Sequence, residues 1–326
     1  MINTRVLRLL QADKFTLEEL AEKLNQPADA IDRILKQMAK SGVTLKVSSL
    51  EEKVKYHVDL LPEAGNIVNV REDDGGVMRF VATADWHFGS SFHLPRTWHE
   101  AMKISEDAGL TRVYSAGDLI DGIDIYKGHR ENLIADGLER QTDLVARALS
   151  KHPHLRFFGI AGNHDYSFTQ KVGAKPLAIL EAKADNFTNL GDMRADIVVN
   201  GIKIRMLHGA SGRVYATSYP SQTYLRDYFK GLEREDISQL PHLMILGHYH
   251  TLYEGKDHGI WILQCGSFQD GENEYCVRRG LTGPHGLFHV KINYDGNQIE
   301  GFETKYIQPK LKEQGKAFAK TTRHYK

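Results

Sequence analysis

Cysteine is scarce in this chain: two thiols, Cys265 and Cys276, in 326 residues. Two cannot frame a disulfide-stapled fold, and Cys265 ends an apolar run, WILQC, so buried thiols in a reducing, cytoplasmic compartment are expected. Long hydrophobic runs are missing as well. No stretch approaches the ~20 apolar residues of a membrane helix. The opening MINTRVLRLLQADKF is broken by Arg5, Arg8, Asp13 and Lys14, so neither a secretory leader nor a membrane partner is expected. Net charge is absent too: 42 Lys and Arg balance 42 Asp and Glu, so any attraction for nucleic acid has to be local. Histidine is what the chain has in plenty. Its 16 imidazoles often stand beside Gly, Asp or another His, which points to metal chemistry only where those positions converge.

With 41% hydrophobic residues, the length suits one large domain accompanied by a small one. Residues 1–61 read as the small one. TRVLRLL is a first amphipathic turn set; FTLEELAEKLNQ opens on Thr16 with Glu19 three residues later, the spacing of a capping box. PADAIDRILKQMAKSG starts on Pro27 and stops at Gly42, with Ile31, Ile34, Leu35 and Met38 on one face. VTLKV and VKYHVDL, joined by SSLEE, read as a hairpin. Three helices and a hairpin resemble a winged helix-turn-helix. On the outer face of its third helix lie Arg33, Lys36 and Lys40, with Lys46, Lys53 and Lys55 on the wing. That face suits phosphate contact, an ordinary solvated surface, or a protein contact. Residues 62–77, acidic and glycine-containing, read as a linker.

From residue 78 the pattern changes. RFVATADWH ends on Asp85 and His87; RVYSAGDLIDG on Asp118 and Asp121; RFFGIAGNHD on Asn163, His164 and Asp165. IKIRMLHG ends on His208, and LMILGHYH on His248 and His250. Asn-His-Asp behind a glycine is by itself an ordinary turn composition. Five strand ends loaded with carboxylates, imidazoles and one amide are not, and such residues sit at the carboxyl ends of strands in layered α/β sheets. The donor set, free of cysteine, suits manganese, iron or zinc rather than a structural zinc. Glycines 117, 162, 209 and 247 allow the sharp turns that bring these side chains inward.

In this order DWH, GDLID, GNHD, HG and GHYH resemble the calcineurin-like metallophosphoesterases, with nucleic-acid-processing members similar to SbcD-like DNA repair exonucleases as the nearest set. The resemblance implies an α+β fold, a four-layer α/β/β/α sandwich over residues 78–308. It implies two divalent ions, manganese first, with iron, zinc or nickel as alternatives. Asp85, His87 and His250 would hold one ion, Asn163, His208 and His248 the other, and Asp118 both, with a bridging hydroxide attacking phosphorus. His164 would protonate the leaving group or stabilise the transition state, and Asp165 would hydrogen-bond its far nitrogen. Phosphodiester hydrolysis of nucleic acid, DNA more than RNA, follows as the expected function. A small-nucleotide phosphodiesterase, with the winged helix used for protein contact, is the alternative, and a DNA-binding regulator a third. A homodimer or an ATPase-type partner is compatible with either enzyme.

Other positions read more plainly. Asp121 is either a supporting residue of the site or a helix cap. His129, with Lys127 and Arg130, reads as a solvated loop, and Arg278 or Arg279 in YCVRRG could reach the cleft. YATSYPSQTYLRDYF has helical spacing that suits packing. Asn200-Gly201 and Asp295-Gly296 mark hairpin turns, and residues 309–326 read as a basic, disordered tail.

Overall fold

A computed structural model describes residues 6, 9–10, 15–40, 46–50, 53–57, 67–70, 75–209, 216–231, 240–271, 277 and 285–309. The chain divides into two compact units, Met1–Ala64 and Gly65–Lys326.

In the first unit α1 (Leu17–Leu24) begins at Thr16, whose hydroxyl accepts the Glu19 N–H at 3.2 Å while the Glu19 carboxylate accepts the Thr16 N–H at 2.7 Å. This reciprocal cap satisfies two of the donors that a helix start leaves open. The helix ends at Asn25, in the left-handed region at φ 50°. α2 (Ala28–Lys40) follows. Val6, Leu10, Leu20, Ile31 and Leu35 form the buried core, with Ile34 packed against it. The Met38 side chain, and most of the first expected helix, lie outside the described residues. Strands β1 (Phe15–Thr16), β2 (Lys46–Leu50) and β3 (Lys53–His57) form an antiparallel sheet in the order β1-β3-β2. Leu50 pairs with Lys53, so Ser48, Ser49 and Leu50 are strand residues and not part of the turn.

The second unit is built on two six-stranded sheets. One runs β15 (Gln298–Ile307), β14 (Leu287–Asp295), β5 (Val77–Thr83), β6 (Arg112–Ser115), β7 (Arg156–Ala161), β8 (Phe187–Asp192), with β5 to β8 parallel. The other runs β12 (Tyr253–Asp257), β13 (Ile260–Gln264), β11 (Leu243–Gly247), β10 (Ile202–His208), β9 (Arg194–Val199), β4 (Ile67–Val70), with β10, β11 and β13 parallel.

Strand alternation sorts the side chains into layers. Met78, Phe80, Ala82, Ile160, Ile202, Ile204, Met206, Leu243 and Ile245 meet between the sheets. Val81, Val113 and Phe157 face the other way, onto α3 (Pro95–Asp107), α4 (Leu138–Leu149) and α6 (Pro176–Lys183), which contribute Trp98, Met102, Val145, Leu149 and Leu180. Met244, Leu246 and Ile262 back onto Leu225 of α7 (Tyr219–Gly231), the tyrosine-rich segment. The result is the α/β/β/α sandwich, in which each fully buried Leu, Ile or Phe contributes roughly 1.5–3 kcal/mol of transfer free energy.

Two expectations need correction. Part of the stretch assigned to the linker is β4, paired in parallel with β9. Three of its four residues are β-branched, enough for a short edge strand inside an acidic, glycine-containing surround. The β9–β10 turn is Asn200-Gly201, both at positive φ (49° and 95°), as a type I′ hairpin requires. The β14–β15 turn lies one residue later than Asp295-Gly296, because Asp295 still pairs with Gln298. Of the expected tail, residues 309–326, all but residue 309 lie outside the described residues, within which no helix is long and apolar enough to cross a membrane.

Candidate metal centre

Both sheets deliver their polar residues at the same edge. Asp85 and His87 follow β5, Asp118 and Asp121 follow β6, and Asn163, His164 and Asp165 open α5 (Asn163–Val172) directly after β7. His208 is the last residue of β10; His248 and His250 follow β11. Asp85, His87, Asp118, His248 and His250 all have positive φ, between 51° and 86°. Non-glycine residues rarely adopt this geometry, Asp and His among the more tolerant, and five in one place mark a backbone bent to aim side chains. Two glycines admit the close packing. Gly117, at φ +96°, lies under the His208 ring, and a Cβ on Gly162 would strike the Asp118 carboxylate and stand 2.7 Å from His208 Cε1.

Four clusters bring ligand-type atoms within 4.8 Å of one another at this edge: Asp85–His87–His250, His87–Asp118–His164, Asp121–His129–His164 and Asp118–His208–His248. Asn163 joins the last, its Oδ1 2.9 Å from His208 Nε2 and 2.8 Å from His248 Nδ1. Asp85, His87, Asp118, His208 and His250 are buried.

The hydrogen bonds fix which atoms face the middle of the site. His87 Nδ1 lies 2.9 Å from Asp121 Oδ1 and so carries its proton there. Its Nε2 lone pair then faces His250 Nε2 at 3.1 Å. His208 Nδ1 donates to the Ala116 carbonyl at 2.8 Å, leaving Nε2 to face Asn163 Oδ1 at 2.9 Å and Asp118 Oδ2 at 3.2 Å. A His208 lone pair opposite an amide oxygen and a carboxylate in a buried pocket requires a positive charge between them, and a divalent cation with oxygen and imidazole donors fits. Burial pulls His208 down, yet Asp118 and Asp85 carry it up to about 9. Asp118 itself, raised by burial, is held well below the usual carboxylate range by His208 and His164. Burial, with His208 and with His87 respectively, pushes His248 down to about 4 and His250 well below its usual value, keeping both neutral as ligands must be.

A family model for the calcineurin-like phosphoesterase superfamily domain matches residues 78–277. The chain belongs to that superfamily. The chain is similar to DNA polymerase II small subunits. It is 23% identical over 227 residues to that of Archaeoglobus fulgidus, covering 58% of this chain and 46% of the relative. To that of Methanothermobacter thermautotrophicus it is 24% identical over 221 residues, covering 59% and 43%. The chain therefore spans about half the length of these relatives. Among solved structures, an archaeal phosphodiesterase aligns at 14% identity and TM-score 0.39, covering 71% of this chain and all (100%) of its own.

At this edge, His164 is held by a different residue from the one expected. Its Nδ1 lies 2.6 Å from the carbonyl oxygen of Asp121 and 3.5 Å from that residue's carboxylate. Asp165 does not reach it. The Asp165 carboxylate accepts three backbone N–H groups, from Gly162 at 2.8 Å, Ile120 at 3.0 Å and Leu119 at 3.2 Å. As the third residue of α5 it closes on its own helix start, tying that turn to the loop after β6. Burial and the neighbouring Asp118 push it up to about 7 against those donors.

Asp121 is a hub that the sequence left undecided. Its buried carboxylate meets His87 Nδ1 at 2.9 Å, His129 Nε2 at 3.1 Å and Gln269 Nε2 at 3.4 Å. Burial raises it, but the three imidazoles of His129, His164 and His87 hold it well below the usual range. His129, expected in a solvated loop, is buried, whereas Lys127 is exposed and Arg130 pairs with Asp124 at 2.7 Å. Gln269 carried no motif at all. Arg278 and Arg279 lie outside the described residues. In the first unit Arg33 is exposed, with its Nε on the Asp29 carbonyl, and exposed Lys36 pairs with Asp32 at 2.7 Å; the Lys40 side chain lies outside the described residues.

Proposed function

We propose that the Gly65–Lys326 unit is a dinuclear metal-dependent phosphodiesterase acting on nucleic acid, DNA more than RNA. One observation carries it: two three-ligand clusters share an edge, and Asp118 Oδ2, 3.2 Å from His208 and 3.9 Å from His87, faces both. In this reading Asp85, His87 and His250 hold one cation and Asn163, His208 and His248 the other, with Asp118 common to both. Two divalent cations, manganese first, would when bound supply Lewis-acid activation of water and neutralise charge on the phosphoryl oxygens. The protein's own part is orientation and proton transfer. His164, clamped through Nδ1, leaves Nε2 for the leaving oxygen, and the Asp118 and Asp121 carboxylates favour its protonated form. Asp165 acts on the backbone of the site and not on His164.

The nucleic-acid substrate rests on two supports. The named relatives are subunits of a DNA polymerase, which also favours a partner chain. The first unit offers Arg33, Lys36 and Lys40 on one helix ahead of a hairpin, an arrangement we read as a winged helix with a phosphate-contacting face.

The test uses full-length protein loaded with manganese, offered bis-p-nitrophenyl phosphate, cyclic nucleotides, and labelled single-stranded DNA, double-stranded DNA and RNA. Hydrolysis of the diester and of DNA, abolished by chelation, is expected. Turnover of cyclic nucleotides alone would move the substrate to small molecules. Two bound ions with no turnover of any diester would leave a metal-binding subunit without catalysis.

A further inference from the structure

His129 is the histidine for which the metal centre has no assigned use, and it is enclosed as completely as the ligands, with its side chain 0% exposed. It opens a short 3₁₀ turn (His129–Asn132) behind Gly128, which stands in the left-handed region at φ 83°. That reversal folds the loop back so that the ring points at Asp121, with the Tyr126 ring against it at 4.7 Å between centroids. Its tautomer is set by its neighbours. The Ile125 N–H points at Nδ1 from 3.3 Å, so Nδ1 accepts and the proton sits on Nε2, 3.1 Å from Asp121 Oδ2.

The other carboxylate oxygen, Oδ1, receives His87 Nδ1–H at 2.9 Å. The Asp121 carbonyl receives His164 Nδ1–H at 2.6 Å. One residue therefore orients a member of the first cluster and the proton donor together, and its side-chain rotation is fixed from the far side. We propose that His129 is a positioning residue of the metal centre, acting through the Asp121 carboxylate to hold the His87 imidazole in the tautomer and direction the site needs, with His164 Nδ1 3.5 Å from the same Oδ1. Donation from Nε2 pins the carboxylate plane, Oδ1 then keeps the proton on His87 Nδ1, and the His87 Nε2 lone pair stays turned toward Asp85 and His250. Such supporting contacts are worth roughly 10–100-fold in metal affinity or activity.

The inference rests on the two-cation reading of the site but not on its substrate, so its test reads metal binding directly. Manganese and zinc affinities of full-length protein are measured by competition with a fluorescent chelator for wild type, His129→Ala, His129→Gln and His129→Glu, with circular dichroism as the folding control. The glutamine amide can still donate to Asp121 Oδ2; the glutamate, of nearly the same shape, presents an acceptor to an acceptor. Expected are a roughly 10–100-fold loss for alanine and glutamate in the weaker of the two binding steps, and a change below about threefold for glutamine. Kinetics on bis-p-nitrophenyl phosphate at saturating metal should then show a lower kcat with little change in KM. Wild-type affinity in the alanine variant overturns the proposal, as does equal loss in the glutamine and glutamate variants, which would mean the ring matters only as packing. Should alanine fail to fold, the glutamine–glutamate pair decides alone. A wild type that binds two ions and hydrolyses nothing, with this affinity pattern intact, removes the hydrolase reading and leaves the positioning role standing.

Discussion

Asp118 is the side chain that faces both proposed cation sites. Its Oδ2 stands 3.2 Å from His208 Nε2 and 3.9 Å from His87 Nε2, so in the proposed reading replacing Asp118 by Asn takes the charge of a shared ligand from two sites at once. Asp118→Asn should lower the divalent ions retained after gel filtration from two per chain to one or none, counted by mass spectrometry of the metal. Two tightly held ions in that variant would mean that the shared ligand has been misplaced. His164→Ala separates proton transfer from binding: both ions should stay while the rate falls roughly 10²–10⁴-fold. The loss should shrink for p-nitrophenolate, a leaving group that needs little protonation; if metal is lost instead, His164 is a ligand. Residue types and their order were legible in GNHD, but their partners were not. Asp165 was expected on His164, yet Gly162-x-x-Asp165 is also capping spacing, and the carboxylate takes the Gly162 N–H in its own turn. A local bond formed with the helix start prevails over a more distant one that would need the ring to swing round. His129 and Gln269 stayed hidden because the loop reversal that buries the one, and the approach of the segment after β13 that brings in the other, leave no periodicity in the chain.

Helices and strands were more readable than their edges. Apolar alternation in Met78-x-Phe80-x-Ala82 and Ile202-x-Ile204-x-Met206 announces strands with one face inward, and those residues do meet between the sheets. β4 was lost because four residues are too few for a pattern, and its partner β9 lies more than a hundred residues away in sequence. Thr16 and Glu19 were legible as a cap because both halves of the motif lie within four residues, and both bonds are present. Thr16→Ala removes the acceptor for the Glu19 N–H, at a cost of about 1 kcal/mol to the helix it starts. Native-state hydrogen exchange should register this as faster exchange of α1 amides, by roughly five- to tenfold for an opening free energy lowered by that amount. Amides of β5 to β7 should be unchanged. Equal acceleration in both places would mean that the two units unfold as one.

Acid stability tests how the sandwich holds histidines that serve no metal. His289, on β14, reaches Ser105 Oγ on α3 at 2.8 Å, and burial together with Lys305 pushes it down to about 4; burial together with Lys151 does the same to His99. Unfolded histidine titrates near 6.5, so below that pH the unfolded chain binds protons that the folded chain refuses. The contribution of each neutral ring is therefore complete above about pH 6.5 and lost progressively as pH falls toward 4. His289→Gln removes one titrating ring while leaving a donor for Ser105. Its melting temperature should rise relative to wild type as pH drops from 7 to 4.5, and a difference independent of pH would mean that His289 is protonated in the fold. Reading a whole function is harder than reading an acid limb, because the proposed ligand set would serve any phosphodiester and the sequence blocks carry no substrate. Selectivity has to come from outside the edge, and the Met1–Ala64 unit supplies the means to test for it. All seven proposed ligands lie beyond residue 84, so deleting residues 1–64 should leave hydrolysis of bis-p-nitrophenyl phosphate nearly intact while DNA affinity falls. The triple variant Arg33→Ala, Lys36→Ala, Lys40→Ala should reproduce part of that fall. Lys36 already pairs with Asp32, so the share from Arg33 should exceed it in single variants. Every cationic side chain withdrawn from a phosphate should flatten the plot of log affinity against log salt by about one unit of slope. A triple variant with wild-type affinity and slope would make that helix face a solvated surface, and the proposed nucleic-acid preference would then have to be sought in the phosphoesterase unit itself.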